Sequence, residues 1–230
     1  MYHNIFNPQR PPHPLTLLSL FINFLTQKYV IVPTSFVILL MATPSYSDPF
    51  FYFLTNELKF SASLLGKISF CSVLCTLIAI WLYKTFFKNT NFRIMITIGT
   101  IVSFFFSFMA FLLVKRINLK LGISDFWFVL LSSSLLSMIG ELVMMPMLSL
   151  ACLLCPKNLE GTVYALFMSA LNFGGIMSGL LGSFLTSWLD ITSKNYDNLD
   201  SLILIANILT LCPLPFLCCI SDNYFEARDE

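Results

Sequence analysis

Glu141 carries the most informative polar group in the sequence, because it stands inside a long apolar run at residues 126–150. A charged group within a membrane is costly, so such residues usually face a substrate path, an ion or a partner side chain. Ser133 and Ser137 precede Glu141 at helical spacing and share one face with it. We expect this face to line a bundle interior or a wet cavity. There, Glu141 could relay protons, contact a substrate, or pair with a neighbouring helix as a structural carboxyl.

Asp48 is the second acidic candidate, and it lies beside a predicted helix break. Pro44 and Pro49 interrupt the apolar run at 29–54. In hydrocarbon, freed backbone groups need protein or a cavity around them, and transporter sites often use such broken helices. An aspartate at a helix end near the outer surface is the alternative. Lys67, about one turn inside the next run, could meet an anionic substrate or extend to the membrane interface.

Small residues form two adjacent lanes in the fifth apolar run. The lanes consist of Gly174, Ser178 and Gly182, and of Gly175 and Gly179. Small residues four apart let another helix backbone come close, so we predict that both lanes pack against a helix. Asn172 precedes the lanes and could hydrogen-bond either a ligand or an adjacent helix.

The sequence carries no signature of a soluble enzyme, a metal centre or a bound cofactor. Phosphate-binding loops, zinc-protease and hydrolase motifs do not occur in it. Cys152 and Cys155 have a C-x-x-C spacing, but neither a second pair nor a histidine cluster accompanies them. We therefore expect free thiols, no metal, no cofactor and no enzymatic activity.

The amino-acid composition is strongly apolar, so few polar groups are available as candidate functional residues. Of 230 residues, 57% are hydrophobic and 11% are charged, whereas soluble domains carry about 25% charged residues. The net charge of +1 gives no basic field for nucleic acid. An all-α integral membrane protein that crosses the membrane several times, surrounded by lipids, is the predicted class.

Six apolar runs are long enough to cross a membrane. The predicted spans are about 29–54, 62–83, 94–114, 126–150, 161–189 and 202–220. A lead segment at 1–28, with an interfacial helix at 15–27, precedes the bundle at 29–221, and a polar tail follows at 222–230. Basic residues in the short loop at 84–93 favour a cytoplasmic N-terminus.

Several short segments occur in an order that is shared with a known family. They are Ala42-Thr43-Pro44-Ser45, FYFLTNEL at 51–58, LLGK at 64–67, Gly140-Glu141 with Pro146, CPKNLEGTVYAL at 155–166, Met168-Ser169, and NFGG at 172–175. As a set, over residues 29–220, they resemble the C-terminal half of the folate–biopterin transporter family, within the major facilitator superfamily. The run at 155–166 is the most specific of them.

The resemblance implies a six-helix half of a twelve-helix secondary transporter, with residues 1–28 as the remnant of a cytoplasmic linker. Its expected substrates are folate, biopterin or related pterins, moved by alternating access. Because a cavity normally forms between two halves, the chain would pair with a separate N-terminal half or with itself as a homodimer. A carrier of another organic anion is one alternative. A truncated, non-transporting subunit that binds a partner half is the other.

The resemblance also suggests which residues contact the substrate. A pterin is a flat heterocycle, so its site needs aromatic faces and polar anchors, and a cation would suit the carboxylates of folate. The candidates are Tyr46, Asp48, Tyr52, Lys67, Glu141 and Asn172. Lys67 would be the cation, and Glu141 or Asp48 could carry a coupling proton.

Overall fold

Apolar α-helices make up nearly all of the described chain. The computed structural model describes residues 27–153 and 160–219, and these ranges contain no β-strand. The predicted interfacial helix lies outside them except for its last residue, as do residues 155–159 of the most specific motif and the tail at 222–230. The predicted division into lead segment, bundle and tail stays a prediction.

The predicted first span at 29–54, here called the first crossing, folds as two short helices with a break between them. Helix α1 covers Lys28–Met41 and helix α2 covers Ser47–Asn56. Thr43 precedes Pro44, and a residue before proline is disfavoured in the helical conformation, so the chain leaves the helix there. Pro49 is tolerated within the first turn of α2, where backbone N–H groups have no helical partner. The predicted break is therefore present.

Four of the six remaining described helices are longer than α1, and each of those four is long enough to cross a membrane. The six are α3 (Ala62–Leu82, continued by a π-helical turn at Tyr83–Phe87), α4 (Phe92–Val114), the short α5 (Ile117–Lys120), α6 (Asp125–Leu153), α7 (Glu160–Trp188), and α8 (Leu199–Leu209, followed by a 3₁₀ helix at Leu214–Cys219). By length and composition, the described chain holds five membrane-crossing stretches beside the shorter apolar α1. The predicted all-α, multi-pass membrane protein is confirmed.

Side-chain caps fix where two of these helices begin. The Ser61 hydroxyl accepts a hydrogen bond from the backbone N–H of Leu64, 3.4 Å away, at the start of α3. The Asn91 side chain accepts from the N–H of Arg93 at 2.9 Å, at the start of α4. Each cap satisfies a backbone donor that the first helical turn leaves free.

Two hydrophobic cores hold the helices together, one toward each end of the bundle. The first joins α1 to the beginnings of α4 and α7 and to the later turns of α6; it includes Val37, Ile96, Met147 and Phe167. The second joins α2 to the beginnings of α3, α6 and α8 and to the end of α4; it includes Phe53, Leu113, Val129 and Leu202. Thus the two halves of the first crossing belong to different cores.

The outer surface is apolar, as a lipid-facing surface should be. Helix α3 exposes Phe70, Leu77 and Trp81, and α7 exposes Ile176, Phe184 and Trp188. Exposing such apolar faces to water would be unfavourable and would promote aggregation. Lipid hydrocarbon or another apolar helix can cover them.

Candidate functional site

A groove of about 590 Å³, with many hydroxyl side chains in its lining, lies between the broken first crossing and α7. One wall comes from residues 45–52, the other from α7, and the loop at 189–198 contributes to one end. The lining residues are Ser45, Ser47, Asp48, Pro49, Tyr52, Gly175, Ser178, Gly179, Gly182, Ser183, Thr186, Ser187, Ile191, Thr192, Ser193 and Tyr196. Serine and threonine hydroxyls predominate, and Asp48 is the one charged residue in this described lining.

The wall of the groove is held by close contact between α7 and the break. The hydroxyl of Ser178 donates to the carbonyl oxygen of Thr43, and the N–H of Ser45 donates to the carbonyl oxygen of Ser178 at 3.2 Å. A Cβ atom placed on Gly182 would overlap the backbone carbonyl of Ser45, with its carbon 2.9 Å away. A Cβ on Gly174 would lie 2.5 Å from the Cβ of Met41. Small residues here let two backbones meet, so this lane closes against the first crossing.

The neighbouring lane of α7 faces open space. A Cβ atom added to Gly175 or Gly179 would meet nothing within 4 Å, and both glycines line the groove. Ser183 continues this lane into the groove and is exposed. Asn172 is also exposed and lies three residues before Gly175, so helical spacing puts it on the same face. The two lanes therefore differ in environment although their residue types are alike.

Asp48 and Tyr52 stand one helical turn apart on α2, and both line the groove. Asp48 is exposed and lies in the first turn of α2, where the helix dipole favours a negative charge. Tyr52 is 53% exposed, and its ring meets the Phe51 ring edge-on with 5.9 Å between centroids. The pair offers a carboxylate acceptor beside a flat ring.

Tyr196 fixes the end of the groove that the loop forms. The Asn56 side-chain amide donates to the Tyr196 hydroxyl at 3.0 Å, and that hydroxyl donates to the carbonyl oxygen of Ser193 at 3.2 Å. The ring of Phe53 meets the Tyr196 ring edge-on, with 5.8 Å between centroids. The loop is thereby tied to the last turns of α2.

Tyr46 does not line the groove, because its hydroxyl is engaged inside the bundle. Ser107 on α4 donates to the Oδ1 atom of buried Asn207 on α8. A serine hydroxyl has one hydrogen, so the Tyr46 hydroxyl must be the donor in its bond to Ser107. The amide nitrogen of Asn207 is buried without a partner in the described structure. This chain of three polar groups attaches the break to two further helices.

Glu141 is half-buried on α6 and does not line the groove. On the same stripe, the Ser137 hydroxyl donates to the backbone carbonyl of Ser133 at 2.9 Å, so one member is satisfied within its own helix. Glu141 itself forms no hydrogen bond or ion pair with any residue that the structure describes.

Lys67 is exposed and lies apart from Asp48, Tyr52 and the groove. It borders a second, mostly apolar groove between α3 and α6. Of the six predicted contact residues, the structure therefore brings Asp48 and Tyr52 into one cavity and Asn172 onto its open face. Tyr46, Lys67 and Glu141 face elsewhere. No three metal-ligating side chains cluster within residues 27–153 and 160–219.

Three polar residues of this region were not predicted from the sequence as site residues. Asn207 is an amide within an apolar run, so the reasoning applied to Glu141 could have found it. Ser107 gave only a weak packing signal, as one of three small residues four apart in the third run (Gly99, Ser103 and Ser107), and Tyr196 gave none because it lies in a polar loop. Their roles depend on contacts with residues 61, 100 and 140 positions away in the chain.

The chain is similar to one protein family and to several transporters that are named for folate or biopterin. The sequence model of the BT1 family matches residues 16–230. A folate-biopterin transporter of Synechocystis is 39% identical over 222 residues, covering 96% of this chain and 45% of the relative. Folate transporter 1 of Plasmodium falciparum is 36% identical over 194 residues, covering 84% and 38%. A probable folate-biopterin transporter 2 of Arabidopsis thaliana is 32% identical, covering 78% and 37%.

The chain spans less than half the length of these relatives, and no solved structure matches it. The matched region nevertheless covers nearly the whole chain, including the broken first crossing and both lanes of α7. On the family match across residues 16–230, this multi-pass membrane protein belongs to the BT1 family.

Proposed function

We propose that the chain forms the substrate-contacting half of a secondary transporter for folate, biopterin or related pterins, and is not an enzyme. The observation that supports this is the groove at the helix break, which combines a carboxylate, an exposed tyrosine and many hydroxyls. The names of the relatives supply the substrate class.

Asp48 suits one edge of a pterin. The amino-pyrimidinone ring of a pterin presents two adjacent N–H donors, and a carboxylate can accept both through its two oxygens. Paired, charge-assisted hydrogen bonds of this kind add both affinity and geometric specificity. Tyr52 would then stack on or against the ring from one helical turn away.

The charges in the groove lining bear on which anions it would accept. Its described lining contains no lysine, arginine or histidine, so a carboxylate group would find hydroxyl donors there but no cation to pair with. This favours recognition of the pterin ring over recognition of the acidic tail of folate, and it disfavours a general carrier of organic anions.

The open lane of α7 suits a second half. Asn172, Gly175 and Gly179 would face substrate or a partner half that completes the cavity, as in the two-half architecture of the major facilitator superfamily. Alternating access would then rock the halves around the site. Glu141, half-buried and unpaired among the described residues, is the candidate for a coupling proton.

The test is uptake of labelled folate and biopterin by cells that express the chain alone, or together with the N-terminal half of the Synechocystis relative. We expect uptake with both halves. Asp48→Asn should weaken biopterin affinity about tenfold or more, because a hydrogen bond to a charged group contributes about 1.5–3 kcal/mol. Glu141→Gln should retain binding but lose accumulation against a gradient.

Two results would contradict the proposal. Absence of biopterin uptake and binding in both combinations, with the chain present and folded in the membrane, would favour a non-transporting subunit. Equal uptake of unrelated organic anions, unaffected by Asp48→Asn, would favour the general anion carrier. Uptake by the chain alone would instead indicate a homodimer.

A further inference from the structure

A second groove, of about 700 Å³, lies between the first turns of α3 and the first turns of α6. Its lining consists of Ser63, Leu64, Gly66, Lys67, Phe70, Cys71, Phe126, Trp127 and Leu130. None of these residues lines the groove at the helix break. The second groove is thus a separate feature, on a different pair of helices.

This groove is apolar except near Lys67. A Cβ atom added to Gly66 would meet nothing within 4 Å, so the groove is open beside the lysine. The exposed ring of Phe70 extends the apolar surface along α3, and Leu130 extends it along α6. An apolar channel with one cation near its end matches an amphipathic anion better than a small polar solute.

The positive charge of Lys67 is not neutralised within the described structure. The lining contains no carboxylate, and Lys67 forms no ion pair there. Asp125, next to the lining residue Phe126, is bound by Arg116 at 2.8 Å and by the Asn118 amide at 2.6 Å. The acid beside the groove is therefore already paired, and an external anion would complement the lysine.

Trp127 indicates the depth of this groove in the membrane. The residue is 59% exposed, and it lies two residues inside α6. Tryptophan favours the level of the lipid headgroups, where one part of its ring is apolar and the other wet. A lysine at the same groove can extend its ammonium group to a headgroup while its stem stays in the apolar region.

We propose that this groove binds an anionic phospholipid. The phosphate contacts Lys67 and the Ser63 hydroxyl, and an acyl chain lies along Phe70 and Leu130. A zwitterionic lipid fits less well, because its own ammonium group competes for the phosphate and meets no carboxylate in the lining. This binding is independent of the proposed transport function.

Trp127 provides a direct reporter. The chain contains three tryptophans, and Trp81→Phe with Trp188→Phe leaves Trp127 as the only one. The full chain, reconstituted in vesicles, is titrated with phosphatidylglycerol or phosphatidylcholine whose acyl chains are brominated, and quenching of Trp127 fluorescence is measured. We expect about a fivefold preference for the anionic lipid at this site, the size expected for one lysine near a membrane surface.

Matched variants separate a built site from ordinary lipid contact. Lys67→Gln should reduce the preference to about one, whereas Lys67→Arg should keep it. Lys120→Gln, which removes an exposed lysine that does not line the groove, should also keep it. Gly66→Leu should fill the groove and lower the preference without changing the charge.

Three outcomes would overturn the proposal. They are equal quenching by both lipids in the unaltered chain, a preference that survives Lys67→Gln, and a preference lost equally with Lys120→Gln. Adding folate to the vesicles gives a fourth test. If folate displaces the anionic lipid, Lys67 binds a substrate carboxylate instead, which would also overturn the proposal.

Discussion

The two small-residue lanes of α7 have similar compositions but differ in how closely they pack. Gly174, Ser178 and Gly182 meet the backbone of the first crossing, whereas Gly175 and Gly179 face an open groove. The lanes are a single residue apart in register, about 100° around the helix. A small residue in a membrane helix can therefore admit another backbone or leave room for a ligand, and its spacing does not distinguish the two.

The largest difference between the lanes is expected when a leucine replaces one glycine in each of them. Gly182→Leu should lower the free energy of unfolding by about 3 kcal/mol or more, because its Cβ overlaps the fixed carbonyl of Ser45. Gly179→Leu should change that free energy by less than about 1 kcal/mol but fill the groove and abolish pterin binding. Reversible unfolding of the purified chain in detergent, with binding measured in parallel, checks both. Equal destabilisation by the two variants would break the comparison.

Replacing a glycine by alanine near the N-terminal end of each lane should give a smaller difference. Gly174→Ala should cost about 1–3 kcal/mol, because the added methyl group meets the Met41 Cβ at 2.5 Å and the Ile38 carbonyl oxygen at 3.1 Å. Gly175→Ala is the matched control and should be neutral or stabilising by up to about 1 kcal/mol, since alanine favours the helix. The same unfolding assay applies. If Gly175→Ala were the costlier change, the assignment of the lanes would be reversed.

The smallest expected effect concerns the hydroxyl groups. Ser178→Ala removes the hydrogen bond to the Thr43 carbonyl. It should cost about 0.6 kcal/mol, the average for such bonds between membrane helices. Ser183→Ala removes a hydroxyl that points into the open groove, so its free energy of unfolding should not change measurably. A loss for Ser183→Ala as large as that for Ser178→Ala would show that the open lane is packed in solution.

Features that depend on neighbouring residues, such as the helix break, could be predicted from the sequence. Contacts between residues far apart in the chain could not. Pro44 and Pro49 predicted the break because proline acts on its own backbone and that of its neighbour. Residue spacing predicted both lanes, yet which lane closes depends on how α7 is rotated against α1. The contacts of Ser107 with Tyr46 and Asn207 join three helices, and nothing in the local sequence indicates them.

The candidate site shows the same division. Asp48 and Tyr52 share a cavity because they stand one turn apart on one helix, which the sequence already shows. Lys67 and Glu141 were predicted from their positions inside apolar runs and from the family resemblance, whereas the structure places them outside the groove of Asp48 and Tyr52. Glu141→Gln in the uptake experiment tests Glu141, and substrate contact by Lys67 stays a prediction.

The attachment of α1 and α2 to different hydrophobic cores has a mechanical consequence. At residues 42–46 the chain leaves the helix, and the N–H of Ser45 bonds to α7 rather than to its own helix. If one core tilts relative to the other, the first crossing acts as two levers joined at a hinge, and the bending falls on these residues. Asp48 lies just beyond that hinge, so tilting the second core would swing its carboxylate across the mouth of the groove.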